Sequence, residues 1–242
     1  MSDLLLDRLL QLPREQTAVS AVRDTSGGAW AHWTWGELIV AVRRMAGVAA
    51  IASQRGERVQ WSAPRGGLQL VRDLAMQFAG VVGERSDLGP DPGLDVPSGA
   101  DDLGRLVRMR QDVRPRDPAA WRGRAMEYAE VATLAERVAK RLGAGPVLST
   151  SDADTEQVLG WASVWGGASL VCTDVSRRAL VDPAVWVCLP EHLEGLTLEP
   201  PNALQRLGVR PRPRLERIFV VGGVPAAAAS RFPGVEVAPW IA

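Results

Sequence analysis

The chain has 242 residues, 46% of them apolar, and its 28 basic and 28 acidic side chains leave a formal net charge of zero. That much apolar material fills one large core or two smaller ones and excludes an unfolded chain, while the balanced charge offers no general attraction to nucleic acid or to an anionic membrane. No apolar run approaches the roughly 20 residues that a membrane-spanning helix needs.

Leu4 to Leu10 places apolar positions between charges and reads as an amphipathic helix. It has no basic leader before it, so a cytoplasmic protein is expected. Thr17 to Asp24 alternates apolar with polar and meets Ser26-Gly27-Gly28, a strand running into a turn. In Trp33-Thr34-Trp35-Gly36-Glu37-Leu38, Thr34 has the spacing to Glu37 of a capping box, which opens a helix to about Ile51 with Leu38, Val42, Met45 and Val48 on one stripe. A turn and short strand come next over Gly56 to Pro64, then a helix over Gln69 to Gly80 and a strand from Val81. Residues 86–100 are rich in Asp, Gly, Pro and Ser and read as a polar linker.

Beyond the linker, Tyr128 to Leu142 has helical spacing, with Val131, Leu134, Ala135, Val138 and Leu142 facing inward. A strand is predicted over Pro146 to Thr150 and a helix over Glu156 to Trp165, with further strands around Cys172 and Cys188. The last strand, Gly234 to Ala242, ends in Pro239-Trp240-Ile241.

Little in this order carries catalytic chemistry. Cys172 and Cys188 fall in predicted buried strands, where cysteine serves as a small hydrophobe. Cys188 and His192 make half of a metal site only if the residues between them are helical, and His32 is the one other histidine. Neither histidine stands beside a serine or cysteine in a strained glycine turn, so no nucleophile is evident. Arginines at 105, 108, 110, 114, 116, 122 and 124 form either a rebuilt anion site or a solvated loop, and the interleaved acids favour the loop. Arg210, Arg212 and Arg214 alternate with prolines as in an extended connector. Gly222-Gly223 fits a turn after a strand, or a close approach of a ligand to the backbone. Of the nine tryptophans, those at 33, 35, 161, 165 and 186 fall on core faces, whereas Trp240 suits burial and an interface equally.

The ordered set of segments resembles one family. Strand, Thr-Trp-x-Glu-Leu helix, Gly-x-Arg-Val strand, proline, helix and Ala-Gly-Val-Val over residues 1–85 is similar to the opening of the adenylate-forming, AMP-binding superfamily of acyl-CoA synthetases and luciferase-like enzymes. Asp101 to Val107 resembles the strand entering that family's phosphate loop, and Gly123 to Val131 resembles the segment immediately after that loop. Cys188-Leu189-Pro190 and Gly222-Gly223-Val224-Pro225 resemble later strand ends. The resemblance implies an α/β fold of two lobes, 1–85 and 101–242, like the front part of the family's N-terminal domain without its barrel-like subdomain and C-terminal lid.

The phosphate loop itself departs from the family. There the family has a Thr/Ser/Gly-rich run ending in Pro-Lys-Gly, and this chain has Met109-Arg110-Gln111-Asp112-Val113-Arg114-Pro115-Arg116-Asp117-Pro118. A phosphate grip needs glycines whose N–H groups converge, hydroxyls and a lysine. None is here, two prolines remove donors, two aspartates repel phosphate, and Lys140 is the one lysine of the chain. The family's aromatic-Gly-x-Thr-Glu motif after the last strand has no counterpart either.

The expectation is therefore a truncated, degenerate relative that does not adenylate, without cofactor or metal, acting through a protein partner or a homo-oligomer. A split enzyme completed by another chain, or a sensor holding a small acyl ligand or acyl-CoA, is the alternative. The candidate contact is Val235, Val237, Trp240 and Ile241, because an apolar strand at the end of the chain offers an open edge.

Overall fold

The structure is a computed structural model and describes residues 5–12, 20–25, 31–61, 65–85, 118–121, 124–176, 183–194 and 215–241. Its frame is a seven-stranded sheet. In chain order the strands are β1 (Ser20–Asp24), β2 (Ala31–Thr34), β7 (Val147–Thr150), β8 (Leu170–Cys172), β9 (Val185–Cys188), β10 (Arg217–Val220) and β11 (Glu236–Pro239), and they lie side by side as β11-β10-β9-β7-β8-β1-β2. All neighbours pair parallel except the edge strand β2, which runs antiparallel to β1. Two small ribbons stand apart from it, β3 (Arg58–Trp61) with β4 (Val82–Arg85), and β5 (Pro118–Trp121) with β6 (Arg124–Glu127).

The helices are α1 (Leu5–Gln11), α2 (Trp35–Ala52), α3 (Gly67–Ala79), α4 (Tyr128–Leu142), α5 (Ala153–Gly166) and the short α6 (Ala228–Arg231). A 3₁₀ turn, Pro190–Leu193, comes after β9.

The strands read as near-continuous apolar runs because both faces of the sheet are covered. Successive side chains alternate between two clusters, as the period of two requires. Val147, Val185, Val187, Phe219, Leu170 and Cys172 join the larger cluster, which includes α1 to α5. Leu148, Trp186, Cys188, Ile218, Val220 and Val171 point the other way, onto Leu193, Ala228 and Phe232.

The helix ends obey their sequence signals. At the start of α2, Thr34 Oγ1 accepts from Glu37 N (3.2 Å) while Glu37 Oε2 accepts from Thr34 N (2.8 Å), the reciprocal pair of a capping box. Asp152 caps α5 by accepting from Thr155 N at 2.8 Å. The inward face expected for α4 is buried at all five positions, none more than 5% exposed. On α2 the stripe is Leu38, Val42, Met45 and Ala49, and Val48 is half-buried beside it, because a shallow channel separates that flank of α2 from α3.

The linker at 86–100 and the strand expected at Asp101 to Val107 lie outside the described residues. On either side of them the chain shares one sheet and one core. β1 pairs with β8 in register Val22↔Leu170, and Gly160 of α5 approaches Leu70 of α3 so closely that an added Cβ would lie 2.8 Å from Leu70 Cδ1.

Candidate functional site

In an open parallel sheet, ligands bind at the carboxyl ends of the strands, where the connections of two neighbours leave in opposite directions. Here those neighbours are β7 and β9, since β7 leads through α5 to β8 on one side and β9 leads to β10 on the other. The residues at that crevice are Thr150, Ser151, Leu189 and the 3₁₀ turn with His192, flanked by Gly222-Gly223 after β10.

Thr150 is at its centre. Trp186 Nε1 donates to Thr150 Oγ1 at 3.1 Å, and Thr150 Oγ1 lies 3.0 Å from His192 Nδ1. A neutral His192 with its proton on Nε2 satisfies all three groups, as the indole N–H fills one acceptor position of the hydroxyl and the hydroxyl hydrogen goes to Nδ1. A hydroxyl paired to a histidine is the start of a nucleophile arrangement, but Thr150 is only 2% exposed and already bonded on both sides. No attacking oxygen is presented.

Beside it lies an ion pair with one partner buried. Arg65 sits just before α3 and donates from Nε to Glu156 Oε2 (3.1 Å), and from Nη2 to Glu156 Oε1 (2.5 Å) and Ser151 O (2.8 Å). Ser149 Oγ also donates to Glu156 Oε1 at 3.2 Å and lies 2.7 Å from Ser151 Oγ. Burial raises the Glu156 pKa above the usual carboxylate value, while the hydrogen bond and charge of Arg65 oppose that rise. The hydrogen bond to Glu156 raises that of Arg65. A fork matched to a carboxylate in this way is occupied and has little left for a phosphate.

A second buried carboxylate, Asp73, joins α3 to α5. It accepts from Gln157 Nε2 (2.8 Å), Gln77 Nε2 (3.2 Å) and Trp161 Nε1. Burial pushes its pKa up to about 6 against the three donors.

Among the described residues no group of three or more His, Cys, Asp or Glu side chains could hold a metal. Cys172 and Cys188 are buried and neither is in a disulfide. No described helix is long and apolar enough to cross a membrane.

The phosphate-loop candidates Met109, Arg110, Gln111, Asp112, Arg114 and Arg116 lie outside the described residues. Of the arginines around them in sequence, Arg124 is exposed on β6, with Glu130 at 3.9 Å. Gly222 and Gly223 have φ of 84° and 139°, and nothing lies within 4 Å of an added Cβ at either, so backbone conformation rather than crowding calls for glycine.

The four terminal candidates do not share one setting. Val235 and Val237 are half-buried against the second cluster. Trp240 is 8% exposed and meets Phe219 edge to face, with ring centroids 6.0 Å apart. Ile241 is 63% exposed. β11 is an edge strand, and Glu236 N and Trp240 N donate inward to Glu216 O and Val220 O. Alternation turns positions 237, 239 and 241 outward. There Arg141 of α4 donates to the carbonyls of Ile241 (2.7 Å) and Pro239 (3.4 Å), with its guanidinium 4.8 Å from the Phe219 ring. Sequence reading missed both Arg141 and the Arg65–Glu156 pair. A carboxylate among the apolar positions of a helix was the one signal available for Glu156 and Asp73.

This arrangement of strands and helices recurs in solved structures. VinN in complex with L-aspartate superposes with a TM-score of 0.70 at 17% identity, over 98% of this chain and 75% of VinN. The chain has the fold of the adenylate-forming enzymes. A benzoate CoA ligase from Burkholderia xenovorans LB400 gives a TM-score of 0.69 at 16% identity over 97% of this chain and 60% of the ligase. The fatty acyl-adenylate ligase from L. pneumophila, in complex with acyl adenylate and pyrophosphate, gives 0.67 at 9% identity over 94% of this chain and 51% of the ligase. The α/β architecture matches their N-terminal domain. No protein-family model matches the sequence, and no curated protein matches it.

Proposed function

We propose that the chain is a non-catalytic, cytoplasmic protein with the adenylate-forming fold, acting as a scaffold, adaptor or regulatory subunit through protein–protein contacts. One observation carries this reading: from Met109 to Pro118, where the resemblance of the flanking segments puts the family's phosphate loop, the sequence has no glycine, no hydroxyl and no lysine. The crevice is consistent with it, since Thr150 is already bonded on both sides and the Arg65 fork is taken by Glu156.

Carboxylate adenylation concentrates negative charge on the transferred phosphate, and each positioned donor removed costs about 10²–10³ in rate. Several are missing together. The expected result is no ATP–pyrophosphate exchange by the purified protein with any of a panel of aliphatic and aromatic acids. Acid-dependent exchange that disappears on substituting a residue of this chain would falsify the reading. Exchange that appears only when a second purified chain is added would instead mark this one as a subunit of a split enzyme.

The contact surface we assign to this role is the terminal edge, through Ile241 and the exposed sides of Val235 and Val237. Pro239 has no N–H, and Arg141 holds the outward carbonyls of 239 and 241, so addition of a partner strand is blunted there. Contact through side chains is what this edge supports.

A further inference from the structure

The outer flank of α2 forms an apolar channel of about 550 Å³ between α2, α3 and the β3 strand. None of its lining residues belongs to the crevice at β7 and β9. Its floor is Met45, Ala49 and Met76, each no more than 7% exposed. Trp33, Val40, Val48 and Val59 form the walls, and Val40 remains 46% exposed.

The shape restricts the occupant. Lining positions recur along α2 from Gly36 to Ser53, a rise of about 25 Å at 1.5 Å per residue. An extended hydrocarbon chain fits, and the volume is within the range of about 300–1,000 Å³ usual for small-molecule sites.

The charges then fix where a polar group sits, and Arg44 lies midway along the lining residues of α2. Two ionisable side chains border the channel, Glu37 and Arg44. Glu37 is committed to the capping box, accepting from the backbone N–H (2.8 Å) and hydroxyl (2.9 Å) of Thr34. Arg44, among the described residues, has no hydrogen bond and no ion pair and is exposed at the rim. One cation without a counter-charge beside an apolar channel complements an amphipathic anion.

We propose that this channel binds the alkyl chain of a medium-chain monocarboxylate, with Arg44 pairing its carboxylate. Catalysis by the chain is neither required nor excluded by it.

The test is calorimetric titration of the purified protein with decanoate, and in parallel with decyltrimethylammonium, which has the same chain and the opposite charge. Wild type is expected to bind one decanoate, and the ammonium compound at least tenfold more weakly. Arg44→Glu, a surface change that leaves the core alone, should weaken decanoate at least tenfold and reverse the preference. Ala41→Phe, which fills the channel, should abolish both, with circular dichroism confirming the fold. No saturable binding of decanoate, or decanoate affinity unchanged in Arg44→Glu, overturns the assignment. So does a wild-type dimer that Ala41→Phe converts to a monomer, because the channel is then a contact between copies.

Discussion

Arg65 and Glu156, 91 positions apart in the sequence, meet in a two-bonded pair that ties the start of α3 to the first turn of α5. Glu156 is 2% exposed at its side chain and Arg65 38%. Removing one partner of a fully buried pair costs about 3–5 kcal/mol because the other charge is left in a poor solvent, and the partial exposure of Arg65 reduces this to roughly 2 kcal/mol. Arg65→Ala is therefore expected to shift the urea midpoint downward at unchanged slope, and Arg65→Lys to recover only part of the loss, since an ammonium cannot reproduce the fork. A midpoint for Arg65→Ala equal to that of wild type would show that solvent or a neighbouring donor replaces the guanidinium.

Asp73 gives the protein a pH dependence of defined sign. Its folded pKa is about 6 against an ordinary value of 3.8, so between those values the folded state holds more protons than the unfolded chain. Stability from this group is then greatest in acid and is lost as pH rises through about 6, by roughly 3 kcal/mol at 1.36 kcal/mol per unit. Above pH 7 the contribution is flat. In Asp73→Asn this component is absent, so the wild-type stability relative to the variant should climb between pH 7 and pH 5. Parallel curves for the two proteins over that interval would contradict the assignment of the rise to Asp73.

Thr34 supports the helix that carries the channel. Its hydroxyl accepts from Glu37 N, and Thr34→Ala should cost about 1 kcal/mol, the usual loss for an N-cap. The Thr34 backbone N–H, then its hydroxyl, hold the Glu37 carboxyl below its ordinary value, so the cap is complete near neutrality and weakens as pH falls through that lowered value. Thermal melts at neutral and acid pH measure both, with the gap between wild type and variant expected to narrow in acid. A gap that stays the same in acid would mean that the Thr34 hydroxyl holds the protonated Glu37 as well as it holds the carboxylate.

How far the sequence determined this picture depended on the range of each interaction. Capping of α2 by Thr34 and Glu37 was legible because both partners lie within one turn, and the inward face of α4 was legible because its period is local. The pairing of β1 with β8 was not, because nothing in Val22 or Leu170 names the other as a neighbour across 148 positions. For the same reason α3 and α5 could be placed as helices, but the bonds from Gln157 and Trp161 to Asp73 could not be foreseen. The edge strand β2 was hidden in the lead-in to a helix, since four residues containing His32 and Trp33 are too few to show a period. The departure at the phosphate loop was legible through the family resemblance of its flanking segments, whereas Arg141 looked like any other surface arginine on a helix. Its role depends on where the last strand lands.

That strand separates two neighbouring residues that the sequence treated alike. Trp240 is packed on Phe219, and its Nε1 is buried without a hydrogen-bond partner, so its contribution is apolar burial and ring contact. Replacing it by serine should cost about 3 kcal/mol or more, in the range for a large aromatic removed from a core, and should lower the urea midpoint whatever the assembly state. Ile241 is 63% exposed and adds little to the core. Ile241→Asp should leave the midpoint within about 0.5 kcal/mol of wild type. If the terminal edge is the contact surface, the same substitution should reduce the mass measured by light scattering, or the recovery of a partner, because a charge placed in an apolar contact has no compensation there. Wild-type protein that is monomeric and recovers no partner, or Ile241→Asp protein that assembles like wild type, removes the edge from consideration. The comparison of the two variants keeps folding and assembly apart, which deletion of the whole tail cannot do.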